Sequence, residues 1–145
     1  MVKVKPTLRT VLLLIVGAIV AYIMYGVDSS TLAPQNDDAA IVEAYNNDRS
    51  GFMVETSGVV ERTLPDDNEG SRHQRFIVSL DNGHTLLISH NIDLADRVPL
   101  DVGDTVQFRG QYEWNERGGV VHWTHHDPGG RRDGGWIRHD GSTYR

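Results

Sequence analysis

The sequence predicts a mainly β domain, a small five-stranded OB-like antiparallel barrel with a short helix, preceded by an N-terminal transmembrane helix. Three observations support this prediction: the run 10–27 contains no charged residue, five segments between residues 52 and 125 are rich in strand formers, and the segment 91–100 interrupts the strands after the third. The segment 91–100 is consistent with a short helix or a turn capped by Asn91, and five strands with a short helical element after the third is the order of an OB-fold. A small SH3-like barrel or a plain antiparallel sandwich is the alternative.

The apolar run at residues 10–27 predicts a membrane anchor. As a helix it would rise about 27 Å, close to the roughly 30 Å hydrocarbon core of a bilayer. Lys3, Lys5 and Arg9 precede the run and Asp28 follows it, so the positive-inside rule places residues 1–9 in the cytoplasm and the remainder outside. The expected location is the bacterial inner membrane, crossed once, with the domain in the periplasm. A cleaved signal peptide, which would give a secreted protein, is the competing interpretation.

The remainder of the chain divides into a polar linker at residues 28–36 and an extracytoplasmic OB-like domain at residues 37–145. Three of the 14 basic residues precede the apolar run, which leaves 11 against all 20 acidic residues and a net charge of −9. Such a domain has no broad attraction for polyanions, which argues against bulk nucleic-acid binding. The chain contains no cysteine, so the core must stabilise the domain without disulfides.

Local patterns predict the elements of this domain in order. Asn36 or Asp37 can cap a helix from about residue 38 to 47. A strand over 52–61 follows, interrupted at Gly58, and then an acidic loop over 64–71. The alternation over 72–80, the tight-turn signal 81–83 and the returning strand 84–90 predict a hairpin.

The second half of the domain predicts two further strands and a packed tail. The fourth strand covers 105–114, where Gly110 allows the bend that a small barrel needs. The fifth covers 120–125. The tail from residue 128 is expected to fold back onto the barrel through Trp136, Ile137 and Tyr144. Trp114 and Trp123 are interpreted as structural residues of the barrel.

Polar side chains at two places are candidates for ligand binding. Arg75 has the geometry to hold a phosphate or carboxylate through two parallel hydrogen bonds, and OB-folds use their second and third strands for ligands. At the end of the fifth strand, parity points His122 and His125 to opposite faces, so a site there needs residues from elsewhere. The candidate ligand-binding residues are His73, Gln74, Arg75, His90, Asn91, Asp93, His122, His125, His126 and Asp127.

The histidines also raise two alternatives. His122, His125, His126 and Asp127 are weak candidates for a divalent metal site, although no cofactor is predicted. A metal, or a general base formed by His125 or His126 with Asp127, would suit a nuclease-like hydrolase. The serines lack a nucleophile motif, and no catalytic residue is assigned. A purely structural envelope protein is the third possibility.

Four motifs carry a resemblance to a known family: HQRFIVSL, LLISHNIDLADRVPL, GDTVQFRGQYEWN and GGVVHWTHHDP. They resemble short bacterial envelope proteins that share a domain of unknown function, over about Ile41 to Tyr144. The resemblance implies a compact, anchored or secreted protein and brings no activity, cofactor or catalytic residue with it. The preferred hypothesis is a membrane-anchored extracytoplasmic binding module. Its expected partners are the inner membrane, through residues 10–27, and an envelope ligand or protein of unknown identity.

Overall fold

A closed ring of five strands organises residues 35–145, which are the residues described by the computed structural model. The strands of the ring follow the order β1–β2–β3–β5–β4, and β4 pairs with β1 to close it, while β6 and β7 extend the sheet from β4. In chain order the elements are α1 (Asp38–Asn46), β1 (Phe52–Asp67), β2 (His73–Ser79), β3 (Thr85–Asn91), β4 (Thr105–Glu113), β5 (Val120–His122), β6 (Trp136–His139) and β7 (Ser142–Tyr144).

The predicted membrane anchor at 10–27 and the basic segment 1–9 lie outside the described residues, as does the linker up to residue 34. A helix that could span a bilayer is not found among residues 35–145.

The mainly β prediction is confirmed, but the ring is not wholly antiparallel. β3 and β5 run parallel, with Leu87 opposite Val120. The reason is geometric: strand directions must alternate in an antiparallel ring, and a closed ring with an odd number of strands cannot alternate throughout. The segment between β3 and β4 also forms turns rather than a helix, because Asn91 closes a single turn over Asp93 and Ala95 that does not continue. The helix of this fold is α1, which was predicted within one residue.

Alternating side chains of the strands build the core. β2 buries Gln74, Phe76 and Val78 and turns the intervening residues outward, as its alternation predicted. The largest buried side chains are Tyr112, Phe76 and Phe108, which are fully inaccessible to solvent. Truncating such a residue to alanine typically costs about 3–5 kcal/mol of stability, so these aromatic residues dominate the packing.

β1 is long enough to join both sides of the ring, and its path depends on glycine. Its first half pairs with β4 and its second half with β2, with irregular register between Val60 and Arg62. A Cβ at Gly58 would lie 2.9 Å from the Ser79 carbonyl oxygen, and one at Gly110 would lie 2.5 Å from the His122 carbonyl oxygen. These two glycines therefore allow neighbouring strands to approach closely, as the sequence predicted for bends. β1 continues to Asp67, so the predicted acidic loop is shorter than expected.

The fifth strand is shorter than predicted and the tail is packed. β5 ends at His122 because Trp123 adopts a left-handed backbone conformation with φ of 57°, which a strand cannot contain. The chain then returns along β4, where Ile137 pairs with Phe108 and is fully buried. The expectation that the tail folds back onto the barrel is confirmed.

Polar contacts attach α1 to the barrel. The Thr56 hydroxyl donates to the buried Asp38 carboxylate, and the Glu55 N–H donates to Asp37 at 2.7 Å. Trp114 Nε1 donates to the Tyr45 carbonyl oxygen at 3.0 Å, near the end of the helix. Trp114 is 37% exposed, so it fastens the helix from the surface rather than filling the core.

Candidate ligand cleft on the outer face of the ring

A cleft of about 450 Å³ crosses the outer face of β1, β2 and β3 and ends against the β4–β5 loop. Its walls carry three arginines, Arg62, Arg75 and Arg117, and its floor carries three aliphatic residues, Leu64, Ile77 and Leu87. We call this arrangement the cationic cleft. Its size falls within the roughly 300–1,000 Å³ that is typical of ligand pockets.

The strand register places these residues side by side. Arg62 lies opposite Ile77, and Ile77 lies opposite Leu87, so these three residues form a row across β1, β2 and β3. Leu64 lies opposite Arg75 in the same way. The Leu87 N–H donates to the Gly119 carbonyl oxygen at 3.1 Å, which brings the β4–β5 loop against the far side of β3.

The charge of the cleft is opposite to that of the domain. Among residues 35–145, four of the eight arginines outside the cleft form ion pairs, as Arg72 does with Asp93. Within residues 35–145, the three cleft arginines form no ion pair, and the single acid that lines the cleft is Glu61. Arg75 Nε donates to the Pro65 carbonyl oxygen at 3.0 Å, which holds the guanidinium at the cleft. Unpaired guanidinium groups of this kind are available for an anion.

The floor of the cleft results from the alternation of inward and outward side chains along β2 and β3. Ile77 and Leu87 point outward from strands whose neighbouring residues, such as Phe76 and Leu86, fill the core. Both floor residues are half-buried, so they present aliphatic surface between charged walls. The cleft thus combines cations with apolar surface, as ligand pockets commonly do.

The β4–β5 loop is held in a defined shape, which fixes Arg117. The Asn115 carboxamide oxygen accepts from the Arg117 N–H at 2.9 Å and from the Gly119 N–H at 3.1 Å. His84 Nε2 donates to the Gly118 carbonyl oxygen at 2.7 Å. Because these hydrogen bonds already order the loop, a ligand that binds Arg117 causes a smaller loss of conformational entropy.

The model of one protein family, described as a protein of unknown function (DUF3465), matches residues 23–145. The chain belongs to this family. The match confirms the resemblance of the four sequence motifs to a family with a domain of unknown function. The family description states no ligand and no activity, and comparison with curated proteins gives no match.

In this DUF3465 domain the first group of predicted residues divides between two faces of β2. Arg75 lines the cationic cleft. Gln74 instead faces the interior, where its carboxamide donates to the Val98 carbonyl oxygen at 2.7 Å and accepts from the Val98 N–H at 2.9 Å. It therefore ties the β3–β4 segment to β2. His73 is half-buried, and its Nδ1 bonds the Ser71 carbonyl oxygen at 2.8 Å.

The residues at the end of β3 have internal partners. His90 is fully buried: its Nε2 lies 3.0 Å from the Asp96 carbonyl oxygen and its Nδ1 lies 2.8 Å from the Thr124 hydroxyl. A carbonyl oxygen can only accept, so Nε2 carries the proton and the Thr124 hydroxyl donates to Nδ1. Burial lowers the pKa of His90 to about 4, and this imidazole is neutral at pH 7.

The neighbours of His90 form a turn. Asn91 is buried, and its side-chain oxygen accepts from the Asp93 N–H at 2.9 Å. The pKa of Asp93 is lowered because its carboxylate accepts hydrogen bonds from the Arg72 N–H and the Arg72 guanidinium. These contacts close the ends of β2 and β3 together.

The corner from His122 to Asp127 does not form one surface. His122 lies near Glu113, with 3.7 Å between Nε2 and the carboxylate. His125 is buried, and burial lowers its pKa, while His126 is exposed. Asp127 has a lowered pKa because it accepts from the backbone N–H groups of Arg131, Gly129 and Arg132.

The contacts of these residues bear on the metal and general-base alternatives. Among residues 35–145, no group of three or more histidine, aspartate or glutamate side chains is arranged to hold a metal ion. His125 bonds the His126 carbonyl oxygen through Nδ1 rather than Asp127. Among residues 35–145, the histidine that approaches an aspartate is His139, whose Nε2 lies 3.1 Å from Asp104 and whose Nδ1 is buried.

Of the three arginines of the cationic cleft, Arg75 was predicted from the sequence, whereas Arg62 and Arg117 were not. Arg62 lies beyond the predicted end of the first strand, and Arg117 lies in a turn that was interpreted only as a connection. Ile77 and Arg75 are two residues apart on one strand, so their side chains point to the same outward face. This spacing is the sequence feature that could have predicted Ile77 in the floor. The OB-fold prediction was the signal for Arg117, because that topology brings the loop between strands four and five beside strand three.

Proposed function

We propose that this protein is a membrane-anchored extracytoplasmic binding module that holds an anionic ligand in the cationic cleft. The observation that supports it is the convergence of three unpaired arginines, within a strongly acidic domain, on one cleft. Cations that serve solubility or folding are normally dispersed or paired with acids. Three arginines beside a single acid, Glu61, leave a net positive charge that raises the electrostatic energy of the free domain, and an anion would relieve it.

The architecture supports the same assignment. We interpret the ring as an OB-like barrel, and its order, with β1 shared between β2 and β4 and with β3 beside β5, supports this interpretation. OB-folds bind ligands on the face of strands two and three, with the loops between strands one and two and between strands four and five. The cationic cleft lies on that face and is closed by the β4–β5 loop. This agreement is at the level of fold and does not specify a ligand.

Arginine is suited to this role. The planar guanidinium offers two parallel N–H donors to a carboxylate or a phosphate, and it stays charged at any physiological pH. Arg75 is half-buried against Leu64 and Ile77, so its charge lies in a region with less water than the open surface. A hydrogen bond to an ionic group in such a place contributes more than an exposed ion pair.

We expect Arg75→Gln to weaken anion binding about tenfold or more, because it removes a charge-assisted pair of hydrogen bonds. The measurement is an NMR titration with small anions, namely citrate, inorganic phosphate and glucuronate, following the amide signals of Ile77, Thr85 and Leu87. The control is Arg131→Gln, which changes net charge equally at an exposed position outside the cleft. If none of these anions shifts the amide signals of the cleft residues, or if Arg75→Gln and Arg131→Gln bind the anions equally well, this function is refuted.

The proposed location rests on the apolar run 10–27 and its charged flanks. We expect the full chain to remain in the membrane fraction after high-salt and alkaline washes and to be released by detergent. A reporter that is active only outside the cytoplasm, fused after Arg145, should be active. An inactive reporter would refute the extracytoplasmic assignment, and release of a shortened chain into the medium would identify a cleaved signal peptide instead.

A further inference from the structure

We infer that the ligand of the cationic cleft is a short acidic oligosaccharide in which two negative groups are separated by an uncharged sugar. This inference rests on the proposed anion-binding function and specifies its ligand. It follows from the position of the charged walls on two sides of the aliphatic floor and from the polar groups at the edge of that floor.

The charged walls lie on two sides of the aliphatic floor. Arg62 is on β1, and Arg117 is in the β4–β5 loop, which contacts the far side of β3. Ile77 and Leu87 lie between them on adjacent strands. A ligand that uses both walls must carry negative groups at its two ends.

The middle of the ligand meets a surface without charge. Ile77 and Leu87 are directly opposite each other and half-buried, which gives an aliphatic strip between the walls. The C–H face of a sugar ring can pack on such a strip. At its edges, Thr85 offers a hydroxyl and Glu61 a carboxylate, and a carboxylate accepts hydrogen bonds from sugar hydroxyls.

The same features disfavour a single-stranded nucleic acid. Proteins that bind single strands stack the bases on aromatic side chains, whereas no tyrosine, tryptophan or phenylalanine lines this cleft. Along its length, a long polyanion would also meet a domain of net negative charge. A short ligand with few charges avoids this repulsion.

The test compares defined probes on the full chain in detergent by titration calorimetry. The main probe is a hyaluronan tetrasaccharide, which alternates glucuronate with a neutral N-acetylated sugar, and its matched control is the methyl ester of the same tetrasaccharide. Free glucuronate, inorganic phosphate and an eight-nucleotide oligothymidylate complete the set. We expect the tetrasaccharide to bind at least tenfold more tightly than its ester or free glucuronate. Arg62→Gln and Arg117→Gln should each weaken it about tenfold, and Arg131→Gln should not.

Each other outcome overturns a definite statement. If free glucuronate or phosphate binds as tightly as the tetrasaccharide, the spacing inference is wrong, while the anion-binding function stands. If the ester binds equally well, the carboxylates are not recognised. If the oligonucleotide binds more tightly and the arginine variants lose it, the ligand class is nucleic acid. If none of the anions binds and the arginine variants are indistinguishable from wild type, the proposed function itself fails.

Discussion

Replacing Gly119 with alanine is expected to lower the free energy of unfolding by about 3–5 kcal/mol, through backbone strain and overpacking together. Gly119 has φ of 103°, a conformation that residues with a side chain rarely adopt. A Cβ there would lie 2.3 Å from Cε2 of Tyr112, well inside van der Waals contact. Tyr112 is fully buried, so its ring has no space into which to move. Chemical denaturation of the purified variant measures the loss.

Gly83→Ala is the matched control for this prediction. Gly83 also has a positive φ, of 83°, but an added Cβ would meet no atom within 4 Å. Its cost is backbone strain alone, about 1–2 kcal/mol. Equal losses in the two variants would show that the contact with Tyr112 is not the cause. Because Gly119 also lines the cationic cleft, its alanine variant should lose anion binding even where it remains folded.

The stability of the domain is expected to fall by about 3 kcal/mol between pH 6.5 and pH 4 because of His90. Burial lowers the pKa of this imidazole from 6.5 to about 4 in the folded protein. In that interval the unfolded chain binds a proton that the folded chain does not, so acid favours unfolding. The contribution is complete above pH 6.5 and is lost as the pH falls to about 4. Burial also lowers the pKa of His125, which acts in the same direction.

The measurement is the free energy of unfolding of wild type, His90→Gln and His126→Gln at several pH values. His126 is exposed and is not among the hydrogen-bond partners of His90, so its variant is the control for the loss of a histidine. In His90→Gln, about one fewer proton should be taken up on unfolding between pH 6.5 and pH 4, whatever the stability of the variant at pH 7. If it does not fold, an NMR titration of wild-type His90 decides directly. A midpoint near 6.5 would contradict the burial argument.

These two predictions concern the frame that supports the proposed ligand cleft. The Gly119 position holds the β4–β5 loop against Tyr112, and His90 holds the β3–β4 segment through the Asp96 carbonyl oxygen. Neither requires a ligand to be known. The frame can therefore be tested separately from the proposed function.

Short stretches of the sequence are sufficient to predict many of the helices, strands and turns that support the cleft. The alternation of β2, the Asp81–Gly83 turn and the helix before β1 each follow from a few neighbouring residues, and the structure confirms them. Gly110 was predicted at a bend because a strand interior rarely contains glycine without a close approach. The predicted length of the fifth strand was wrong, because no local signal marks the left-handed backbone of Trp123.

The candidate site depended on packing that no short stretch of sequence contains. His90 and His125 have ordinary polar side chains, and only their position against the core makes them buried and neutral rather than available to a ligand. Likewise Gln74, next to Arg75, binds the backbone of Val98 because β2 turns alternate residues to opposite faces.

A β-rich domain with alternating strands, an acidic net charge and an apolar N-terminal run can all be predicted from the amino-acid sequence. That Arg62, Arg75 and Arg117 share one cleft is visible only in the folded domain. They lie on three separate segments, and the closure of the ring, with β3 beside β5, brings the last of them to the other two. Spacing along the chain carries no information about such a convergence, because it is set by which strands pair and in which register.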